Sequence, residues 1–314
     1  MKTACFFPLA LGLLALANIS LSAQSASAAK EVKRPPIVGV AHIALNTDDM
    51  AAVRKFYTEL LGYQEAFSLN KADGSLMLTN FKVNDHQYIQ VFPELKDPQQ
   101  DRLNHICFET TDAEQLRVYL LSKGVAEVPT EKLTPGGSGD LGFKIHDPDG
   151  NMIEFMQYLP GSKFSSDFGK HLPANRISQH IIHVGAIVKD RAAADHFYKD
   201  VLGFTSIWYG GMKDDVVQWV DMRVPDGTDW FEYMLRVENP DVRTRGVMNH
   251  MALGVPSVEA GYQELLKRGL KTEEKPKIGR DGKWQFNMYD PNLTRAELME
   301  PKPVQKPCCS PILQ

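Results

Sequence analysis

Ala41-His42-Ile43-Ala44-Leu45 and Ile182-His183-Val184-Gly185-Ala186 are two copies of one short apolar strand carrying a histidine, and their recurrence decides the fold. Each is followed by Asp49 or Asp190, then a helical stretch with Phe56-Tyr57 or Phe197-Tyr198, then Leu61-Gly62 or Leu202-Gly203. The offset from His42 to His183 is 141 residues, and Phe56 to Phe197 repeats it. A second unit also recurs: Asn104-His105-Ile106-Cys107-Phe108 matches Asn249-His250-Met251-Ala252-Leu253, 145 residues further on. Its end, Asp147-Pro148 followed by Glu154, matches Asp290-Pro291 followed by Glu297 at an offset of 143. Loop insertions make such offsets drift by a few residues. The chain is written twice, and each half is written twice again.

Each quarter shares a coarse grammar: a short strand with the histidine, an amphipathic helix, then a run of strands. Asp48 or Asp49 is the expected N-cap of the first helix. Met50, Val53, Tyr57, Leu60 and Leu61 fall on one of its faces, and Gly62 stops it. In the last quarter Ser257 is the cap, Val258, Tyr262, Leu265 and Leu266 form the stripe, and Gly269 is the stop. These stripes, and the Phe-Tyr pairs, read as core. The expected organisation is two domains, residues 36–158 and 177–301, joined by a linker over 159–176 and followed by a flexible tail over 302–314.

Composition sets outer limits. The chain has 314 residues, 43% hydrophobic and 24% charged, with a formal net charge of -4. It is too polar for a multispanning membrane protein, too apolar for a disordered one, and not basic enough for nucleic acid to be the default partner. Residues 1–28 read as a signal peptide: Lys2, an apolar run from Phe6 to Ala17, and an A-x-A site at Ala26-Ser27-Ala28. That predicts a secreted or periplasmic protein, detached from the membrane once the signal is cleaved. Cys5 lies inside the signal, Cys107 reads as a buried thiol, and the adjacent Cys308 and Cys309 sit in the Pro-rich tail. Oligomeric state is open, with a homo-oligomer possible.

The chemistry rests on the repeated positions. Strand alternation puts His42 on one face with Val40 and Ala44, His105 with Leu103 and Cys107, and Glu154 with Met152 and Met156. A single strand histidine is usually structural, which is the reading for His86, His146, His171, His180 and His196. His42, His105, His183 and His250 instead recur at the same unit position, together with Glu154 and Glu297. Gln90 and Glu232 hold the corresponding place in the first and third quarters. Two histidines and a carboxylate on separate strands make a divalent-metal site for Fe, Ni, Co, Mn or Zn, with positions left for water or substrate. All four tryptophans, Trp208, Trp219, Trp230 and Trp284, fall in the second half. The Gly136-Gly137-Ser138-Gly139 run reads as a hairpin connection.

With these motifs in order, the sequence resembles the vicinal oxygen chelate superfamily, which includes glyoxalase I, extradiol dioxygenases, methylmalonyl-CoA epimerase and bleomycin-resistance proteins. The resemblance runs from about residue 37 to 300 and rests on the four His strands, the two Phe-Tyr…Leu-Gly helices, and Asp147-Pro148-Asp149-Gly150-Asn151 with its weaker copy at Asp290. It implies an α+β fold of four βαβββ modules, paired into two open barrels, each around a metal. A glyoxalase I-like isomerase or lyase acting on a small oxygen-bearing substrate is the first reading. His183, Glu232, His250 and Glu297 match that family's ligand pattern, and Glu232 or Glu297 would move the proton. The first half offers His42, Gln90, His105 and Glu154. Against it stands the export signal, since glutathione is chiefly cytoplasmic. An Fe(II) extradiol dioxygenase using His183, His250 and Glu297 is the second reading. It is weakened because Glu232 stands where a catalytic His is expected, and Asn287 (Lys144 in the first half) where a Tyr is. The third is a metal-free small-molecule-binding or resistance protein with an aromatic groove.

Overall fold

In the computed structural model, Met1 and residues 32–313 are described. The signal-peptide reading of residues 1–28 falls almost wholly outside them. The first quarter opens with β1 (Ile37–Asn46) and continues through α1 (Met50–Arg54), whose path runs on as a π-helical turn over Lys55–Leu60. Strands β2 (Gln64–Asn70), β3 (Leu76–Lys82) and β4 (Tyr88–Phe92) complete it. The second contains β5 (Leu103–Thr110), α2 (Ala113–Ser122), β6 (Leu141–His146) and β7 (Met152–Gln157). A short α3 (Lys163–Ser166) follows.

The second half repeats this order. It contains β8 (Ile181–Ile187), α4 (Arg191–Ala194) with a π-helical turn over Asp195–Val201, β9 (Thr205–Gly210), β10 (Trp219–Arg223) and β11 (Trp230–Met234). After α5 (Val242–Met248) come β12 (His250–Gly254), α6 (Val258–Lys267), β13 (Lys277–Ile278), β14 (Trp284–Tyr289) and β15 (Arg295–Met299). Asp49 and Ser257 are N-caps, accepting from Ala52 N and Ala260 N, and Gly62 ends the first helix at φ +78°.

The fold is α+β. One sheet has the order β2-β3-β4-β1-β5-β7-β6, and the other is β13-β14-β15-β12-β8-β11-β10-β9. Read from the opposite edge, the second order is the first with β13 added. The second quarter has no counterpart of β13: Pro129, Pro135 and Gly136-Gly137 occupy that stretch without forming a strand. Among the described residues no helix is long and apolar enough to cross a membrane.

Each sheet buries one face in a core continuous across both halves, where Phe108 packs 5.3 Å from Phe204 and 6.5 Å from Phe231. The other face holds a smaller apolar group beside its histidines: Ala41, Tyr88, Cys107, Met156 and Phe164 in one, and Ile182, Ile207, Trp230, Ala252 and Met299 in the other. Simple alternation on β1 is corrected here. The β1–β5 register shifts between Val40 and His42, so Val40 joins Ile43 in the main core while His42 turns to the other face. The β8–β12 pair has the same irregularity, between Ala252 and Leu253. A bulge of this kind re-aims a side chain, and both copies place it beside the histidine.

The halves are tied crosswise. Tyr57 Oη donates to Asp290 Oδ2 at 3.2 Å, and Tyr198 Oη donates to Asp147 Oδ2 at 3.0 Å. The Phe-Tyr motif of each half therefore reaches the Asp-Pro motif of the other. Both tyrosines are fully buried, so loss of the Tyr57 hydroxyl strands Asp290 Oδ2, whereas Asp147 Oδ2 still accepts from Asn151 Nδ2 at 2.9 Å when the Tyr198 hydroxyl is lost. Tyr57→Phe is expected to cost about 1–2 kcal/mol in urea denaturation, and Tyr198→Phe less, about 0.5–1 kcal/mol. An unchanged midpoint in both would show that these ties contribute nothing.

Candidate functional site

In the first half, β1 and β5 bring His42 and His105 together with their Nε2 atoms 2.9 Å apart. Glu154, on β7, places Oε2 3.3 Å from His42 Nε2 and 2.8 Å from His105 Nε2. Gln90, on β4, lines the same cavity and donates through Nε2 to Asn80 Oδ1 at 3.1 Å. The second half repeats the arrangement. His183 Nε2 and His250 Nε2 are 3.0 Å apart, and Glu232 Oε2 lies 3.1 Å from His250 and 3.7 Å from His183. Glu297 offers an oxygen within 4.8 Å of the two histidines. Seven of the eight expected ligands thus gather at the two histidine pairs, while Gln90 lines the first cavity with its amide bonded to Asn80.

Local packing explains how these side chains are held. His250 is opposite Gly185, where a Cβ would come within 2.2 Å of the imidazole Cε1, so only glycine fits there. Ala44 holds the matching place opposite His105. His105 Nδ1 lies 2.7 Å from Asn104 Oδ1 and His250 Nδ1 lies 2.7 Å from Met248 O. Each acceptor favours a proton on Nδ1 and leaves Nε2 free to ligate. Burial pushes His105 down to about 4, against the upward pull of Glu154, and holds His183 and His250 well below the usual range. His105, His183 and His250 are therefore neutral near pH 7, the form a cation needs.

The acids differ between the halves. Burial pushes Glu154 up, but hydrogen bonding with His105 and His42 outweighs it and holds the carboxyl well below its ordinary value. In the second half burial raises Glu297 to about 7, with Arg295 opposing and Glu232 adding to the rise. Asp221, paired across the β10–β11 hairpin with Glu232, is raised well above its usual range by burial and then by Glu232. Sequence reading missed Asp221. The available signal was an isolated acid between Val220 and Met222, one hairpin partner from a proposed ligand.

Both clusters fit a divalent cation. Two donors each about 2.1 Å from one ion, at a right angle, are about 3.0 Å apart, close to the spacing of each histidine pair. Glu297 Oε1, His42 Nδ1 and His183 Nδ1 are buried without a hydrogen-bond partner. Buried carboxylates gathered this closely repel one another, and a cation offsets that cost.

Each cluster opens on a cavity, of about 320 Å³ in the first half and about 310 Å³ in the second. Trp208, Trp219 and Trp230 line the second; Trp284 packs against the core instead. Trp208 and Trp219 are stacked within 14° of parallel. The five other histidines each pair with a carboxylate outside the two clusters: His86 with Glu109, His146 with Glu127, His171 with Asp167, His180 with Asp229 and His196 with Asp200.

After its last strand, each half folds its chain back onto its own strands and loops, and in the first half that chain reaches the site. Leu159 N donates to Asp140 Oδ1, Lys163 N donates to Ser138 O, and Phe164 enters the first cavity. Fully buried Lys82, on β3, then holds Asp167 at 2.9 Å. The stretch expected to be only a linker thus helps wall the first site, and so does the Gly136-Gly137-Ser138 loop. Likewise Cys308 N donates to Arg280 O, Trp208 Nε1 donates to Cys308 O, and Leu313 N donates to Ile207 O. The tail expected to be flexible is strapped between the β13–β14 turn and edge strand β9, with Cys308 and Cys309 disulfide-bonded to each other. Loop-like composition hid both segments, because their order comes from backbone hydrogen bonds to distant strands.

A family model described as the Glyoxalase/Bleomycin resistance protein/Dioxygenase superfamily matches residues 39–155 and again 180–298. The chain is similar to "Virulence protein STM3117" of Salmonella typhimurium, 30% identical over 121 residues, which cover 38% of this chain and 83% of that protein. Among solved structures it is similar in fold to a Mn(II)-bound glyoxalase from Novosphingobium aromaticivorans. The TM-score is 0.62 at 18% identity, covering 85% of this chain and 83% of that one. It is also similar to the 2,3-dioxygenase LapB from Pseudomonas sp. KL28, with TM-score 0.61 at 15% identity, covering 88% and 97%. A catechol 2,3-dioxygenase matches with TM-score 0.62 at 19% identity, covering 89% and 94%.

Proposed function

Because the chain belongs to the Glyoxalase/Bleomycin resistance protein/Dioxygenase superfamily, we propose that it is an exported metal-dependent isomerase or lyase of the glyoxalase I type, with its catalytic centre in the second half. The observation that carries this reading is the four-residue set His183, Glu232, His250 and Glu297, of which His183, Glu232 and Glu297 line a tryptophan-walled cavity and His250 lies buried against His183. A divalent cation bound there would act as a Lewis acid on a carbonyl or hydroxyl oxygen of the substrate. His183 and His250 are neutral donors fixed by burial. Glu232, which lines the cavity beside His250, is placed to take a proton from the carbon next to a carbonyl and return it to the neighbouring carbon. Glu297 is the alternative base. Trp208 and Trp219 wall the cavity on one side.

An extradiol dioxygenase is the second reading, favoured by the intact His183, His250 and Glu297 set and by the fold likeness to 2,3-dioxygenases. Metal analysis followed by turnover separates the two. Oxygen-independent turnover with Ni, Co or Zn supports the isomerase. Tight Fe(II) with oxygen uptake on catechols overturns it in favour of ring cleavage. No bound metal, with His250→Ala behaving like the parent in every binding assay, sinks both.

A further inference from the structure

The tail over residues 302–313 carries chemistry that neither histidine cluster uses. Cys107 is a buried free thiol, but Cys308 and Cys309 are half-buried and joined to each other. Ser310 N donates to Cys308 O at 2.8 Å, which closes a three-residue turn centred on Cys309. Cys309 sits there at φ +71°, a conformation rare for any residue with a side chain. The disulfide ring spans a peptide of that same turn. It is a covalent constraint at the point where the backbone would otherwise relax.

The turn is tied to two parts of the wall of the second cavity. Trp208 Nε1 donates to Cys308 O at 3.2 Å, and Cys308 N donates to Arg280 O at 2.8 Å. Trp208 and Arg280 both line that cavity. Trp208, on edge strand β9, is buried over Gly210, where a Cβ would come within 2.4 Å of the indole. Arg280, in the β13–β14 turn, donates to Gly211 O at 3.1 Å and pairs with Asp214, whose carboxylate offers an oxygen within 4.8 Å of both sulfurs. Ser310 continues the strap, donating to Tyr209 O at 3.1 Å and accepting Tyr209 N at 2.9 Å. Cys309 also borders a separate cavity of about 530 Å³, shared with Pro303, Lys306, Pro307 and Pro311. That opening gives a small thiol a way to the pair.

We propose that Cys308–Cys309 is a thiol–disulfide exchange site, with a small dithiol as its reductant, that latches the Trp208 wall of the second cavity. One thiolate of the dithiol attacks Cys309 Sγ, the Cys308–Cys309 bond breaks, and Cys308 leaves as a thiol. The second thiolate of the reductant then displaces Cys309, also as a thiol. The reductant ends as a disulfide, and two electrons and two protons have passed to the protein. Cys309 relaxes from the left-handed conformation, Cys308 O turns away from Trp208 Nε1, and the tail and the indole loosen together. The bond closes a loop with no residues between its ends, so it adds little to global stability and its effect is local. An oxidising compartment keeps the latch closed, and a reducing one keeps it open. Among the described residues no cysteine lines the first cavity, which therefore serves as an internal control. The latch holds whichever reaction the second site performs.

The test compares three forms of the full-length protein: oxidised; reduced with dithiothreitol and freed of reagent under nitrogen; and Cys308→Ser/Cys309→Ser, which cannot close. Reduction is expected to add two titratable thiols per chain. Amide hydrogen exchange over residues 302–313 is expected to be at least about tenfold faster in the reduced and doubly substituted forms. Acrylamide quenching of tryptophan emission is expected to rise in both, and that rise to disappear in a Trp208→Phe background. Release of Mn(II) to excess chelator is expected to quicken about two- to tenfold in His105→Ala protein, which keeps the second cluster, and to stay unchanged in His250→Ala protein. The urea midpoint is expected to be the same in all three forms. Equal exchange and quenching in the three forms would overturn the latch. A tail that loosens with quenching unchanged would overturn it too, because the wall would then stand without the pair. A large fall in the urea midpoint on reduction would make the bond a general staple and no local latch. If neither cluster holds Mn(II), exchange and quenching still decide the latch, and only the metal-dependent reading is lost.

Discussion

His250→Ala is expected to remove one of about two metals per chain and to lower turnover by at least about a thousandfold. The imidazole is fully buried, its Nδ1 is fixed by Met248 O at 2.7 Å, and its Nε2 faces both His183 and Glu232. Alanine removes that ligand and leaves a cavity against Gly185, where a water is a weaker donor to the cation than the fixed imidazole. Arg295 would then be set against acids that have lost their cation. The matched control is His105→Ala, which should remove the other metal and leave turnover within a few fold. Metal content by emission spectroscopy and steady-state kinetics on the same samples decide the matter. Turnover that follows His105 in place of His250 would move the catalytic centre to the first half.

Much of this arrangement was legible because the chain repeats. Four histidines at one unit position outweigh the ordinary expectation for any one of them, and the structure brings His42 to His105 and His183 to His250. The same logic set aside His86, His146, His171, His180 and His196, whose carboxylate partners lie outside both clusters. Four things were not legible. The bulges at Val40–His42 and at the matching place in β8 depend on pairing register, which strict alternation ignores. The π-helical turns over Lys55–Leu60 and Asp195–Val201 keep the apolar stripe of an ordinary helix, so spacing does not reveal them. The closing segments, residues 159–169 and 302–313, have turn-like composition and take their order from partners far away in sequence. Asp221 and Lys144 act through a cross-hairpin neighbour, a relation that appears only once strands are paired.

The divergence between the halves also frames the strongest test of the proton-transfer role. Glu232→Gln installs in the second site the residue that the first site carries as Gln90. A glutamine oxygen still donates to a cation, and the isosteric amide fits the same volume between His250 and Asp221, so metal content is expected to stay near that of the parent. Relief of one negative charge beside Asp221 and Glu297 works in the same direction for folding. The lost function is the base. Without a carboxylate to accept the substrate proton, kcat is expected to fall by about a hundredfold to ten-thousandfold, with KM little changed. Glu297→Gln serves as the comparison, because both carboxylates reach the same cavity. A large kcat loss confined to Glu297→Gln would transfer the base to Glu297. Full turnover in both variants, with metal retained, would mean that neither carboxylate moves the proton and that the isomerase chemistry assigned to this site is wrong.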